Sequence, residues 1–272
     1  MLLRVLGQLS LQTMGGFAVD SILKRPKVLA LLVYLTIAGP RAYRRRDELL
    51  ALFWPEYGSA RARHALRQTC YVLRKALPDV VVGRGAEELG IVRETLWCDA
   101  VALVHAFRNR QFREVCELHG GDFANGLHIT DVAPEFDYWM STERDRLRHM
   151  AVESAWHLAN EALSSEDEEA ASRWASHAID VSPFDEVSLQ RQIRILDHIG
   201  DRSGALRAYQ RFAVRIRAEL DTEPSPETQS LLAAVKGRRY AGAHPRVAGH
   251  MSAVGPNGGT HIGRETTQAV QN

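Results

Sequence analysis

Arg63, His64, Arg67, Gln68, Tyr71, Arg74 and Lys75 fall at steps that gather them on one side of a helix, while Ala62, Leu66, Cys70, Leu73 and Leu77 gather on the other. Arginine forms a bidentate pair with the O6 and N7 edge of guanine, and glutamine does the same with the N6 and N7 edge of adenine. A helix with these side chains outward fits the major groove of a DNA duplex, with His64, Arg67, Gln68 and Tyr71 facing it together. Arg74 and Lys75, near the C-terminal end, suit phosphate contacts that set register. Arg44 and Arg45 belong to a basic run that continues through Arg46, and Arg84 lies between Gly83 and Gly85, where a hairpin tip can reach a flanking minor groove or phosphate. A solvated helix face without a partner would carry many of the same residues. The order of the surrounding elements favours DNA.

That order reads as sheet, helix, helix, helix, hairpin. Leu3, Val5, Gly7, Leu9 and Leu11 alternate with a second set, Gly15-Gly16 turns the chain, and Phe17-Ala18-Val19 follows, giving a small antiparallel sheet. Pro26 suits the first turn of a helix whose apolar face is Val28, Leu29, Leu31, Leu32 and Leu35, stopped by Gly39-Pro40. A short amphipathic helix spans Arg44 to Trp54 and ends at Pro55. The long helix then runs from about Ser59, a residue able to cap it, to Leu77. Val80-Val81-Val82, Leu89 to Val92 and Thr95-Leu96-Trp97 are expected to be strands joined by turns. Leu49, Trp54, Leu66 and Leu73 are expected in the core, with Trp54 anchoring the loop that follows it. That loop, Pro55 to Ser59, is exposed beside the DNA in such an arrangement and can touch RNA polymerase.

From Asp99 onward the pattern is helical to about Lys236, interrupted at Gly120-Gly121-Asp122-Phe123 and from Asn125 to Pro134. Ala171, Trp174, Ala175, Ala178 and Ile179 recur, shifted by 34 residues, as Ala205, Ala208, Tyr209, Phe212 and Ala213. A 34-residue period of small and large apolar positions is that of tetratricopeptide-like helix pairs. Residues 240–272 lack periodicity and read as a disordered tail.

Charge divides the chain in the same places. Lys and Arg exceed Asp and Glu by seven in residues 1–98, fall short by nine in 99–236 and exceed them by three in 237–272. A basic first third followed by an acidic middle argues for two domains with different partners. We therefore expect a winged helix-turn-helix over residues 1–98, an all-α helical domain over 99–239 and the tail over 240–272. With 45% hydrophobic and 25% charged residues the chain can bury a core, and no run of about 18 apolar residues calls for a membrane span. The start shows no signal-peptide pattern. Cys70, Cys98 and Cys116 are too far apart for a zinc pattern and read as reduced, buried thiols of a cytoplasmic protein. No catalytic motif or cofactor site is found. His119 and Asp122 flank Gly120-Gly121, which is ordinary turn chemistry, and Glu166 to Glu169 suits the positive end of a helix dipole.

Pro26-Lys27-Val28-Leu29-Ala30-Leu31-Leu32-Val33-Tyr34-Leu35, Arg46-Asp47-Glu48-Leu49 with Phe53-Trp54-Pro55, Ala62 to Gln68, and Leu73-Arg74-Lys75-Ala76-Leu77 resemble the DNA-binding half of bacterial activators of the antibiotic-regulatory-protein type, itself similar to the winged helix of OmpR-type response regulators. Gly121-Asp122-Phe123, Trp139 with Glu143-Arg144, Gly200-Asp201-Arg202, Ala205-Leu206 with Tyr209, and Glu219-Leu220 with Glu223 to Thr228 resemble the bacterial transcriptional activator domain. The resemblance covers residues 1–236. It implies a tetratricopeptide-type helical second half, a recognition helix at Ser59–Leu77, a wing at about Val80–Trp97, binding to promoter direct repeats as a homodimer on DNA, and recruitment of RNA polymerase. Activation, as opposed to repression, is implied by the resemblance alone. A second reading stands beside it: an adaptor whose winged helix has no DNA partner and whose acidic helical half meets a basic protein.

Overall fold

Two leucines begin the core. β1 (Leu2–Arg4) pairs antiparallel with β2 (Ser10–Gln12), setting Leu3 opposite Leu11, and both are buried. The expected continuous alternation from Leu3 to Leu11 breaks at Gly7, which turns at φ +86°. Its N–H donates to the carbonyl of Asp122 at 3.1 Å, and a Cβ there would lie 2.6 Å from the Gly120 carbonyl oxygen. Phe17-Ala18-Val19 is not a strand: Ala18 makes a single bridge to Gln12, and Phe17 is exposed.

This computed structural model describes residues 1–37 and 43–238. The expected helix stop at Gly39-Pro40 and the expected tail over 240–272 lie outside the described residues. A one-turn helix, α1 (Asp20–Leu23), precedes α2 (Pro26–Ile37), in which Pro26 takes the first position. Val28 through Val33 and Leu35 through Ile37 are all buried, so α2 is the central helix of the first half, not an amphipathic one.

The basic run was expected to open the next helix. Instead Tyr43, Arg44 and Arg45 form β3 (Tyr43–Arg45), and α3 (Arg46–Phe53) starts one residue later. The cause is long-range: β3 pairs with a strand more than forty residues on, Arg44 opposite Leu89. α4 (Ser59–Ala76) follows, then β4 (Val81–Arg84) and β5 (Glu88–Ile91), giving a sheet in the order β3-β5-β4. Thr95-Leu96-Trp97 does not extend this hairpin. Arg93–Thr95 is a 3₁₀ turn, and β6 (Trp97–Cys98) crosses to pair parallel with β1, giving the sheet β2-β1-β6.

β6 runs into α5 (Asp99–Arg108) without a linker. The remaining helices are α6 (Phe112–Leu118), α7 (Pro134–Ser164), α8 (Glu168–Val181), α9 (Glu186–His198), α10 (Arg202–Leu220) and α11 (Pro226–Gly237). Asp167, Asp185 and Asp201 cap α8, α9 and α10, accepting from Ala170, Val187 and Gly204 N–H at 2.9, 3.0 and 2.7 Å. The acidic run at Glu166–Glu169 is thus a helix start. Of the repeat positions, Ala171, Ala175 and Ala178 on α8, and Ala205, Ala208 and Phe212 on α10, are buried. The fold is a winged helix-turn-helix followed by an all-α, tetratricopeptide-like array.

One core cluster runs from Leu3 to Ala151 and so passes through both halves. Tyr34 on α2 packs edge-on against Trp139 on α7 with ring centroids 4.8 Å apart, and Phe53 on α3 meets Phe136 on α7 at 4.9 Å. Ala133 N–H donates to the Leu52 carbonyl at 2.8 Å, and Lys27 Nζ to that of Asp131 at 2.9 Å.

At the joint sits a buried carboxylate. Asp99 accepts from Val5 N–H with both oxygens (2.9 and 3.0 Å), from Leu6 N–H at 3.0 Å and from Ala100 N–H at 2.8 Å. Burial raises its pKa above the ordinary carboxylate value, against the pull of the three amides. The fold therefore favours the protonated acid: the group's contribution is greatest below its ordinary pKa and declines as pH rises through the raised one. Asp99→Ala leaves the Val5 and Leu6 amides without a partner and should cost about 2–5 kcal/mol in urea unfolding. The gap between wild type and variant should widen as the pH is lowered from 7 towards 4; a narrowing gap would show a depressed carboxyl instead.

Candidate nucleic-acid interface

α4 owes its position to one stripe. Ala62, Leu66, Thr69, Cys70 and Leu73 are buried, and Leu77 closes the stripe just past the helix. Arg63, His64, Arg67, Gln68, Tyr71, Arg74 and Lys75 are exposed on an arc of about 140° at 100° per residue. Ser59 is not the cap. The capping position is Gly58, which has no side chain to offer, and Ser59 is the first helical residue, with its Oγ accepting from Arg63 Nη2 at 3.2 Å.

A groove of about 900 Å³ lies between α4, the start of α3 and the β4–β5 tip. Arg46, Arg63, Arg67, Arg74 and Lys75 bring five cations to it against Asp47 and Glu87, with Leu50, Leu66, Cys70 and Tyr71 as its apolar part. Burial pushes the Cys70 thiol pKa up, with Arg46 and Arg74 pulling the other way, so this cysteine is a neutral floor. Arg46 is the residue that sequence reasoning left out. Its N–H donates to the Glu87 carbonyl at 2.7 Å, and its Nε is buried without a hydrogen-bond partner. The signal was its place at the end of the basic run, hidden by assigning that run to a helix.

The wing is held against α4 by Arg74, whose Nε donates to the Val81 carbonyl at 3.2 Å. Gly85 takes φ +60° at the tip, which favours glycine. Arg84 pairs with Glu88 and lies over the Tyr43 ring, 4.8 Å from its centroid. Arg45 pairs with Asp47 at 3.4 Å. Arg44 stands apart from the groove, over the Tyr34 ring at 5.7 Å. His64 and Gln68 share the exposed arc but do not line the groove, which runs along the Arg63–Arg67–Tyr71–Arg74 edge. Structure thus gathers Arg63, Arg67, Tyr71, Arg74 and Lys75 in one trough, sets His64 and Gln68 beside it on the crest of α4, and sends Arg44 elsewhere.

The loop before α4 is anchored as expected. Trp54 is 5% exposed beneath Lys27, and Tyr57 stacks with Arg61 at 4.1 Å, while Pro55, Glu56 and Gly58 are exposed. Among the described residues no three His, Cys, Asp or Glu side chains converge as a metal site, the three cysteines are free and buried, and no helix is long and apolar enough to cross a membrane.

Residues 103–236 match the model of the bacterial transcriptional activator domain. A solved structure of Mycobacterium tuberculosis EmbR in complex with a low-affinity phosphopeptide shares the fold, with a TM-score of 0.56 at 21% identity, covering 86% of this chain. The chain spans 64% of that protein's structure. No curated protein matches the sequence.

Two sides of one helix should respond differently to alanine. Leu66→Ala opens the core and should cost about 2–5 kcal/mol. His64→Ala, Arg67→Ala and Gln68→Ala should each leave the unfolding free energy in urea within about 0.5 kcal/mol of wild type. A large loss from any of the three would assign that side chain a structural task.

Proposed function

We propose that this chain, which joins an OmpR-type winged helix to a bacterial transcriptional activator domain, binds promoter DNA in a sequence-specific way and activates transcription there. The match of residues 103–236 to the bacterial transcriptional activator domain supports this reading. DNA binding is carried by one observation: α4 exposes seven polar side chains on a single arc beside a five-cation groove, with its apolar side buried.

Arg67, Gln68, His64 and Tyr71 would meet base edges in the major groove, where a helix fits. Arg63, Arg74 and Lys75 would hold the phosphates that flank it, and Arg84 and Arg45 the backbone beyond the wing. Arg44, turned to Tyr34, would contribute charge more than contact. Residues 1–98 would bind DNA, and residues 99–239 would do the regulating. Two copies would occupy direct repeats, and the exposed Pro55–Ser59 loop would meet RNA polymerase in the cytoplasm. The mechanism is association without catalysis.

Fluorescence anisotropy on duplexes from the chain's own upstream region tests this. Affinity should fall linearly in log–log with salt, at a slope of about −0.9 per phosphate neutralised. Arg67→Ala or Gln68→Ala should cost about 1–3 kcal/mol and relax base preference. The Arg63/Arg67/Arg74 triple alanine should lose specific binding. Equal affinity of the triple variant and wild type would sink the proposal, and a winged helix that binds no duplex at low salt would favour the adaptor.

A further inference from the structure

A second cavity, of about 700 Å³, lies between the loop at His119–Asp122, Arg148 on α7, the end of α8 and the turn into α9. That size suits a small organic ligand. Its charges are uneven. Asp122, Asp180 and Asp185 line it against a single guanidinium, Arg148. Arg148 is committed: one terminal nitrogen pairs with Asp122 at 2.8 Å and the other with Asp145 at 3.1 Å. Asp185 is committed to the start of α9, accepting from Val187 N–H at 3.0 Å and the Ser188 hydroxyl at 2.7 Å. Asp180 forms no ion pair among the described residues, and its carboxylate acts on His177.

Two imidazoles complete the lining. Burial lowers the pKa of both His119 and His177, the nearby His177 pushes His119 further down, and Asp122 and Asp180 act the other way. At neutral pH these rings offer lone pairs, not positive charge. Nε2 of His177 is buried in the cavity wall and has no hydrogen-bond partner inside the protein, an unsatisfied polar atom beside the cavity. Phe184, 47% exposed, sets an aromatic ring at the rim.

A carboxylate without an ion pair, neutral imidazole acceptors and an aromatic ring together recognise an ammonium group. An anion would find the cavity's guanidinium already taken. We infer that this cavity is a binding site for a small primary amine with a short apolar body, held by Asp180, His177 and Phe184. Such a ligand would lie against the 119–122 loop, whose Asp122 carbonyl and Phe123 backbone tie to Gly7 and Leu6 of the winged half.

The full chain, with isotope-labelled histidine, should be titrated with phenethylamine and, separately, with phenylacetate. Phenethylamine should move the His119 and His177 ring signals in a saturable way, and phenylacetate should leave them in place. Asp180→Asn, a near-isosteric change at an exposed position, should weaken phenethylamine binding about tenfold, equivalent to about 1.4 kcal/mol. Phe184→Ala should weaken it several-fold, and keeps the question answerable if the asparagine variant fails to fold. Silence of both histidines towards the amine, an equal response to phenylacetate, or unchanged affinity in the folded variants would overturn the inference.

Discussion

A single buried carboxylate fixes where the second half of this protein begins. Asp99 gathers the amides of Val5 and Leu6, which no strand partner takes, and that of Ala100, the second residue of α5. Chain entry and helix start are therefore defined by the same two oxygens. The neighbouring Cys98 thiol, pushed up to about 12 by burial and by Asp99, stays neutral and adds a weak donor at 3.8 Å. With the strand end and the helix start locked together, β6 needs no linker, and the parallel β1–β6 pair brings residues 2 and 97 side by side.

From that joint the aromatic cluster carries the constraint to the side that bears the cationic groove. Tyr34, Phe53, Phe136, Trp139 and Phe123 touch in sequence, on α2, α3, α7 and the 119–123 loop. α3 is thus gripped from behind by α7 and presents Arg46 and Asp47 to the groove in front. The α4 arc is free to be polar because its packing needs are met by one narrow stripe. Exposed polar side chains and the side chains that fold the helix are kept on separate faces, which lets the polar face vary without loss of stability.

Local pattern made the helices legible. The period of α4, its end near Leu77, the acidic start of α8 and the small residues of α8 and α10 all act within a few turns, so the sequence displays them. Apart from the cap of α4, which lies one residue earlier than Ser59, the failures share the opposite cause. β3 exists because Leu89 lies opposite Arg44, β6 because β1 offers an edge, and the break at Gly7 because Asp122 comes to meet it. Each depends on a partner far along the chain, which periodicity cannot reveal. The polar arc of α4 was readable residue by residue. Arg46 was not, since its membership of the groove follows from the start of α3, and Arg44 was assigned to the same surface although its strand directs it to Tyr34.

The direct passage from β6 into α5, with one core through both halves, also gives the molecule a heading. The helical array cannot swing about a hinge at residue 98, so the direction in which α4 points dictates where the array stands. If two copies occupy one duplex as proposed, its repeat of about 10–10.5 base pairs per turn would set a fixed rotational phase between them. A separation altered by half a turn would carry one array round to the far side of the duplex, with every base contact still intact. The spacing between sites, as much as their letters, would then be part of what the protein reads.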